Sequence, residues 1–245
     1  MDRVIYVAMT GAREITRQQA AVSHNLANIS TTGFKAELSV MRALPVVGEG
    51  ARTRAFVLET TPASDYTPGS IQHTGRSLDV AVRNQGWIAV QDGNGQEAYT
   101  RMGDLQVSLN GLLQTGNGLL VVGDGGPIAV APDQETQIAT DGTVSSVPNG
   151  GNRNAVEVAG RIKLVNPPEA DLVRGDDGLF RLKTGAAAPA DENVRLAVGA
   201  LEGSNVNPAE ALVSMIGLAR QFETQMRLLR AAEDNHRAGD KVIAR

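Results

Sequence analysis

The sequence predicts an α+β chain, with N- and C-terminal helices pairing as an α-helical coiled-coil layer and a central antiparallel β-rich domain. Three observations predict it. Apolar residues recur at alternating steps of three and four near both ends. The recurrence shortens to two in the middle, and Asx-Gly dipeptides punctuate that middle stretch.

The first element is the N-terminal helix. Stepping by three and four from Ile5 visits Ile5, Ala8, Ala12, Ile15, Gln19, Val22, Leu26 and Ile29, of which Gln19 alone is polar. Arg3, Arg13, Arg17, Gln18 and Ser23 fall off the stripe. A stripe this narrow is a heptad seam rather than the broad face of a globular helix. Gly33 is a stop signal after it. Residues 35–74 follow neither period, and Pro45, Pro62 and Pro68 with many Ser and Thr predict an extended connector. A loop of that length is uncommon inside a compact domain, so the connector is expected to run along a neighbour.

Residues 75–202 read as the β-rich domain. Leu78, Val80 and Val82 alternate with Ser77, Asp79, Ala81 and Arg83; Leu105, Val107 and Leu109 alternate with Gln106 and Ser108; Val194, Leu196 and Val198 repeat the pattern. Hairpin turns are expected at Asp92-Gly93, Asn110-Gly111, Asp124-Gly125, Asp141-Gly142, Asn149-Gly150 and Asp177-Gly178, because both residues of such a pair tolerate positive φ.

The last element, within residues 203–245, is the C-terminal helix. Asn207 can cap its first amides, Pro208 fits its first position and Glu210 has the capping-box offset. Leu212, Met215, Ala219, Phe222, Met226 and Leu229 trace its seam, which weakens beyond Ala232. Burying a large apolar side chain contributes roughly 1.5–3 kcal/mol, against roughly 1–2 kcal/mol of backbone entropy for each ordered residue. A lone helix with one narrow seam is therefore marginal and needs a partner. The two seams are the obvious pair, and the ends are expected to be weakly ordered in a free subunit and fixed in a polymer. An intramolecular helical hairpin in an ordinary globular protein is the alternative.

Composition narrows the function classes. Aromatics make up 3% of 245 residues, low for a protein with an aromatic-walled ligand pocket. The net charge of −4 comes from interspersed charges without a basic stripe, which argues against nucleic-acid binding. There is no cysteine, so disulfides and thiolate metal sites are excluded. The N-terminus does not read as a cleaved secretory signal, and no apolar run approaches the roughly 20 residues of a bilayer span. The reading is a cytoplasmic protein, or one exported by a route that needs no cleaved peptide. His24, His73 and His236 lie in separate regions without ligand spacing. Asp92-Gly93-Asn94-Gly95 lacks the Glu of a calcium loop, and Gly123-Asp124-Gly125-Gly126-Pro127 precedes a strand rather than a phosphate-binding helix. No catalytic, cofactor-binding or metal residue, no cofactor and no small-molecule substrate is assigned.

The segment Asn25-Leu26-Ala27-Asn28-Ile29-Ser30-Thr31-Thr32-Gly33-Phe34-Lys35 resembles the N-terminal signature of the flagellar rod and hook protein family, with His24 where that family often has Asn. Ser77–Val82, Gln85–Val90, Tyr99-Thr100-Arg101 and Asn110-Gly111 are similar to its central domain, and Glu202-Gly203-Ser204-Asn205-Val206-Asn207 followed by Ala211, Met215 and Ile216 to its C-terminal signature. Met41–Val46, Trp87 and Asp176–Phe180 resemble the proximal-rod members, with distal-rod members as the alternative. The resemblance implies a non-enzymatic subunit of the basal-body rod that crosses the periplasm and carries torque. Its expected partners are copies of itself, neighbouring rod proteins and the flagellar type III export apparatus, without nucleic acid and without membrane insertion. Residues 1–34 would hold the N-terminal helix and signature. The expected assembly interface comprises Ile5, Ala12, Ile15, Val22, Asn25, Leu26, Asn28, Thr31, Gly33, Phe34, Asn205, Leu212, Met215, Ala219, Phe222, Met226 and Leu229. A reading from a different class is a secreted β-rich carbohydrate- or surface-binding module, which the scarcity of aromatics disfavours.

Overall fold

The structure, a computed structural model, describes residues 2–45, 55–131, 134–148 and 156–243. The chain forms two compact units, each assembled from sequence-distant pieces. A helical unit comprises Met1–Ile29, Ala36–Asp65 and Val206–Arg245, and a β unit comprises Ser30–Lys35 and Tyr66–Asn205.

The helical unit contains α1 (Asp2–Ala27), a β-hairpin of β1 (Glu37–Pro45) and β2 (Ala55–Ser64), and α2 (Pro208–Ile243). The two helices pair, and both strands of the hairpin pack on α1. Asn207 caps α2 as its position predicts: its Oδ1 accepts from Ala209 N at 3.1 Å and Glu210 N at 3.4 Å. Residues 35–74, expected as an extended connector, include this hairpin. β1 and β2 run antiparallel from Glu37 opposite Ser64 to Pro45 opposite Ala55. Two of the three prolines that suggested the connector sit where a sheet tolerates them. Pro45 ends β1, and Pro62 falls in the register shift between Leu38 and Val40.

The β unit contains β3 (Ile71–His73), β4 (Val80–Arg83), β5 (Trp87–Gln91), β6 (Glu97–Thr100), β7 (Leu105–Val107), β8 (Leu113–Thr115), β9 (Leu120–Gly123), β10 (Gly126–Pro127), β11 (Gln134–Ile138), β12 (Thr143–Pro148), β13 (Glu157–Arg161), β14 (Leu164–Val165), β15 (Leu172–Arg174), β16 (Phe180–Leu182), β17 (Arg195–Val198) and β18 (Ala200–Glu202). The largest sheet runs β15-β16-β6-β5-β9-β8-β7, with β10 on β9 and β14 on β5; β11-β12-β13 form a second sheet, and β4–β17 and β3–β18 are separate pairs. All of these pairings are antiparallel. Five of the six expected Asx-Gly turns join antiparallel neighbours: β5–β6, β7–β8, β9–β10, β11–β12 and β15–β16. Asn149-Gly150 lies outside the described residues.

The alternation holds where one face meets solvent and fails where both faces are covered. β5 sends Ile88 and Val90 into one apolar cluster with Val80, Leu105, Leu113 and Leu196, and Trp87 and Ala89 into another with Tyr99, Leu172 and Phe180. Ala81, expected to face outward, is buried against Ala197 and Ala200. Leu109 does not extend β7 inward. It lies in the β7–β8 turn, fully exposed, because Gly111 N donates to Ser108 O at 2.9 Å and reverses the chain there.

Candidate functional site

The helical seam is the first expected feature. In α1 every seam position is turned inward: Ala8, Ala12 and Ile15 are buried, and Ile5, Gln19, Val22 and Leu26 are half-buried, as is Ile29 just beyond the helix. In α2 the inward face is Ala211, Met215, Leu218, Phe222, Gln225, Leu229 and Ala232. That frame shares Met215, Phe222 and Leu229 with the expected stripe. Met226 is half-buried beside it, whereas Leu212 and Ala219 are exposed. The frames coincide at every second position and differ by one residue at the positions between, which turns the buried face by about 50° around the helix. Gln225 belongs to the inner face because Gly11 of α1 leaves room for it: a Cβ on Gly11 would lie 3.2 Å from Gln225 Nε2.

The end of α1 is closed by its two signature asparagines. Asn28 Nδ2 donates to His24 O at 2.9 Å, satisfying a terminal helix carbonyl. Asn25 Nδ2 donates to Glu37 O at 2.9 Å while Glu37 N donates to Asn25 Oδ1 at 2.8 Å. The side-chain amide thus imitates a neighbouring strand at the start of β1. His24 Nδ1 lies 3.2 Å from Glu37 Oε2; His73 is exposed in β3, and the His236 side chain lies outside the described residues.

The rest of the signature folds into the β unit and meets the C-terminal signature there. Gly33 adopts φ +66°, and its N donates to Glu202 O at 2.7 Å. A Cβ at Gly33 would come within 2.3 Å of the Arg101 carbonyl carbon, so glycine is required on both grounds. Thr31 O accepts from Phe34 N at 3.4 Å. The Phe34 ring is buried beneath Arg174, whose guanidinium carbon is 4.7 Å from the ring centroid and whose NH1 donates to Lys35 O at 2.9 Å. Asn205 N donates to Phe34 O at 3.4 Å, and Asn205 Nδ2 to Thr67 O at 3.2 Å.

At the centre is a buried ion network. Lys35 Nζ donates to Glu202 Oε1 at 2.7 Å and to Thr67 O at 2.8 Å. Gly69 N donates to the same Oε1 at 3.0 Å, and Arg101 NH1 to Glu202 Oε2 at 2.9 Å. Arg101 NH2 reaches Asn84 O at 2.8 Å, its guanidinium carbon lies 5.3 Å from the Trp87 ring centroid, and its Nε is buried without an acceptor. Burial pushes the Glu202 carboxyl upward, but the Arg101 charge and the hydrogen bonds from Lys35 and Gly69 outweigh it and hold the group below its ordinary range. Asp104, which accepts a weak hydrogen bond from Thr32 Oγ1 at 3.5 Å, goes the other way: burial raises it, and Asp79 adds repulsion.

Both oxygens of Glu202 carry cationic donors, so it is a structural anion rather than a free base. The Asp92 turn pairs with an arginine. Asp92 Oδ1 accepts from Asn94 N and Gln96 N, and Oδ2 accepts from Arg181 at 2.7 Å. Trp87 and Phe180 pack into the core beside Tyr66, so these rings form no exposed platform for a sugar. Among the described residues no helix is long and apolar enough to cross a membrane. Sequence reasoning assigned no role to Glu202, Arg101 or Arg174. The first two stood inside quoted motifs, but nothing in the linear order paired them with Lys35.

The comparisons agree with this arrangement of terminal signatures around a β unit. Residues 5–35 match the model described as flagella basal body rod protein, residues 81–146 the flagellar hook protein FlgE/F/G D1 domain, and residues 197–241 the flagellar basal body rod FlgEFG protein C-terminal. The chain is 44% identical over 250 residues to the flagellar basal-body rod protein FlgF of Salmonella typhimurium, covering 100% of this chain and 99% of that protein. Identity to FlgF of Escherichia coli is also 44% with the same coverage. Against the flagellar basal-body rod protein FlgG of Buchnera aphidicola subsp. Acyrthosiphon pisum it is 30%, covering 89% of this chain and 91% of that protein. The chain belongs to the flagellar basal-body rod protein family, as a structural subunit of the basal body with its greater similarity to FlgF.

Proposed function

We propose that this subunit joins the proximal part of the rod, and that it polymerises there through the outward face of α2, opposite its seam with α1. One observation carries the reading: Leu212, Val213 and Ile216 lie on the first turns of α2 and are 49%, 70% and 56% exposed. Three large aliphatic side chains in two turns of one helix are unfavourable in water and suit a surface that another subunit covers. The partners are further copies of this chain and neighbouring rod proteins, reached after passage through the flagellar export apparatus. The role is mechanical, transmission of torque, and not catalytic. The test is a Leu212→Ser/Ile216→Ser double variant expressed in a strain lacking the native gene. Normal folding of the purified subunit with loss of swimming and of rod incorporation is the expected result. Unimpaired incorporation would overturn the reading.

A further inference from the structure

The chain enters or leaves the β unit at four places: between residues 29 and 30, 35 and 36, 65 and 66, and 205 and 206. Glu202 bonds to a segment beside each of them. Its backbone O takes Gly33 N and its Oε1 takes Lys35 Nζ, both in the stretch between the first two crossings. Oε1 also takes Gly69 N, just past the third, and Glu202 itself stands before the fourth. Oε2 ties the group to Arg101 in the body of the unit. Three backbone and side-chain bonds close the ring without Glu202: Gly203 N to Ser70 O at 2.8 Å, Asn205 N to Phe34 O at 3.4 Å and Asn205 Nδ2 to Thr67 O at 3.2 Å.

We propose that Glu202 is a positioning residue that gathers all four exits of the β unit into one cooperative knot, which opens and closes as a whole. The cause is electrostatic. Lys35 and Glu202 have side chains 0% and 1% exposed, and Arg101 is 3% exposed. In a low-dielectric setting, withdrawing one member leaves its partners charged and uncompensated, so partly open states are disfavoured relative to fully closed or fully open ones. Close backbone packing enforces the same coupling. A Cβ at Gly69 would fall 2.0 Å from Gly203 O, so the backbone beside the third crossing packs directly on that beside the fourth. A pull along any one exit is then shared by the other three, which suits a subunit that must hold its terminal segments under torque.

Native-state hydrogen exchange on the full chain tests this. The amides of Gly33, Gly69, Gly203 and Asn205 are expected to exchange through one shared opening, with a common dependence on low concentrations of denaturant. Ala89, bonded to Lys163 O in the sheet, should open only with the whole unit. Glu202→Gln should accelerate all four amides by one common factor, about tenfold or more. Lys35→Met should also accelerate Gly203 and Asn205. The proposal is overturned if the four amides of the unaltered protein follow different denaturant dependences, a result that needs no variant to fold. It is equally overturned if Glu202→Gln accelerates only Gly33 and Gly69, its direct partners.

Discussion

Lys35 Nζ donates a hydrogen bond to Glu202 Oε1 at 2.7 Å across 167 positions of sequence, with neither side chain reaching water. The pair joins the basic end of the N-terminal signature to the acidic start of the C-terminal one. Replacing Lys35 by Met keeps most of its length and removes its charge. Thr67 O then loses a donor, and Glu202 retains Arg101 and Gly69 N. Breaking one member of a buried ion network costs about 3–5 kcal/mol. Lys35→Met is therefore expected to lower the stability of the β unit by about 3 kcal/mol, read as a drop in the urea midpoint at unchanged slope. Lys35→Met combined with Glu202→Met should recover part of the loss, since removing both charges avoids an uncompensated one.

The same carboxylate makes a pH prediction. The Glu202 carboxyl is held below its ordinary value in the folded state, so the unfolded chain binds its proton more readily. Its stabilising contribution is complete above the ordinary carboxylate range and fades as pH falls through the folded value. Asp104 is raised, first by burial and then by Asp79, so it contributes with opposite sign: its charge weakens the fold at neutral pH and the penalty vanishes on acidification. Asp104→Asn is expected to raise the urea midpoint at about pH 7 and to converge with the unaltered protein at about pH 3. Chemical denaturation at the two pH values checks it. A midpoint gain that persists in acid would show that the substitution acts through packing instead.

The parts of the fold legible in sequence were those set by local period and turn chemistry. The α1 seam, the Asn207 cap and the Asx-Gly hairpins all depend on residues within a few positions of each other, and the structure places them as the patterns predict. The β1–β2 hairpin was hidden because its prolines sit at a strand end and a register shift, where they do no harm to pairing. The α2 frame was hidden because two overlapping apolar stripes compete, and the missing side chain at Gly11 of α1 lets the polar Gln225 pack on the inner face. Glu202, Arg101 and Lys35 were visible as motif members, but their convergence is a tertiary fact with no local signature.

Gly33 offers a sharper test of the signature than any of its charged residues. It combines φ +66° with an approach to the Arg101 backbone that leaves no room for a methyl group. Left-handed strain alone costs an L-residue roughly 1–2 kcal/mol, and the clash adds to it because the obstacle is main chain that cannot swing aside. Gly33→Ala is expected to lose more than about 2 kcal/mol in thermal or chemical unfolding. Gly75→Ala serves as the control. Its φ of +76° is equally left-handed, but nothing lies within 4 Å of a Cβ there, so only the strain should appear.

The two faces of α2 separate folding from assembly. Leu218 is buried on the inner face, whereas Leu212 stands on the outer one. Truncating a buried leucine costs about 2–5 kcal/mol, with the lower end expected where the site can collapse. Leu218→Ala should therefore lower the melting temperature of the free subunit, followed by helical circular dichroism. Leu212→Ala should change it by no more than about 0.5 kcal/mol equivalent, as surface substitutions do, yet impair incorporation into the rod. The inverse pattern, with Leu212→Ala destabilising the isolated chain and Leu218→Ala neutral, would mean that the stripe through Leu212, Ala219 and Met226 faces α1. The paired comparison tests the frame of the helix and the outward interface with the same two variants.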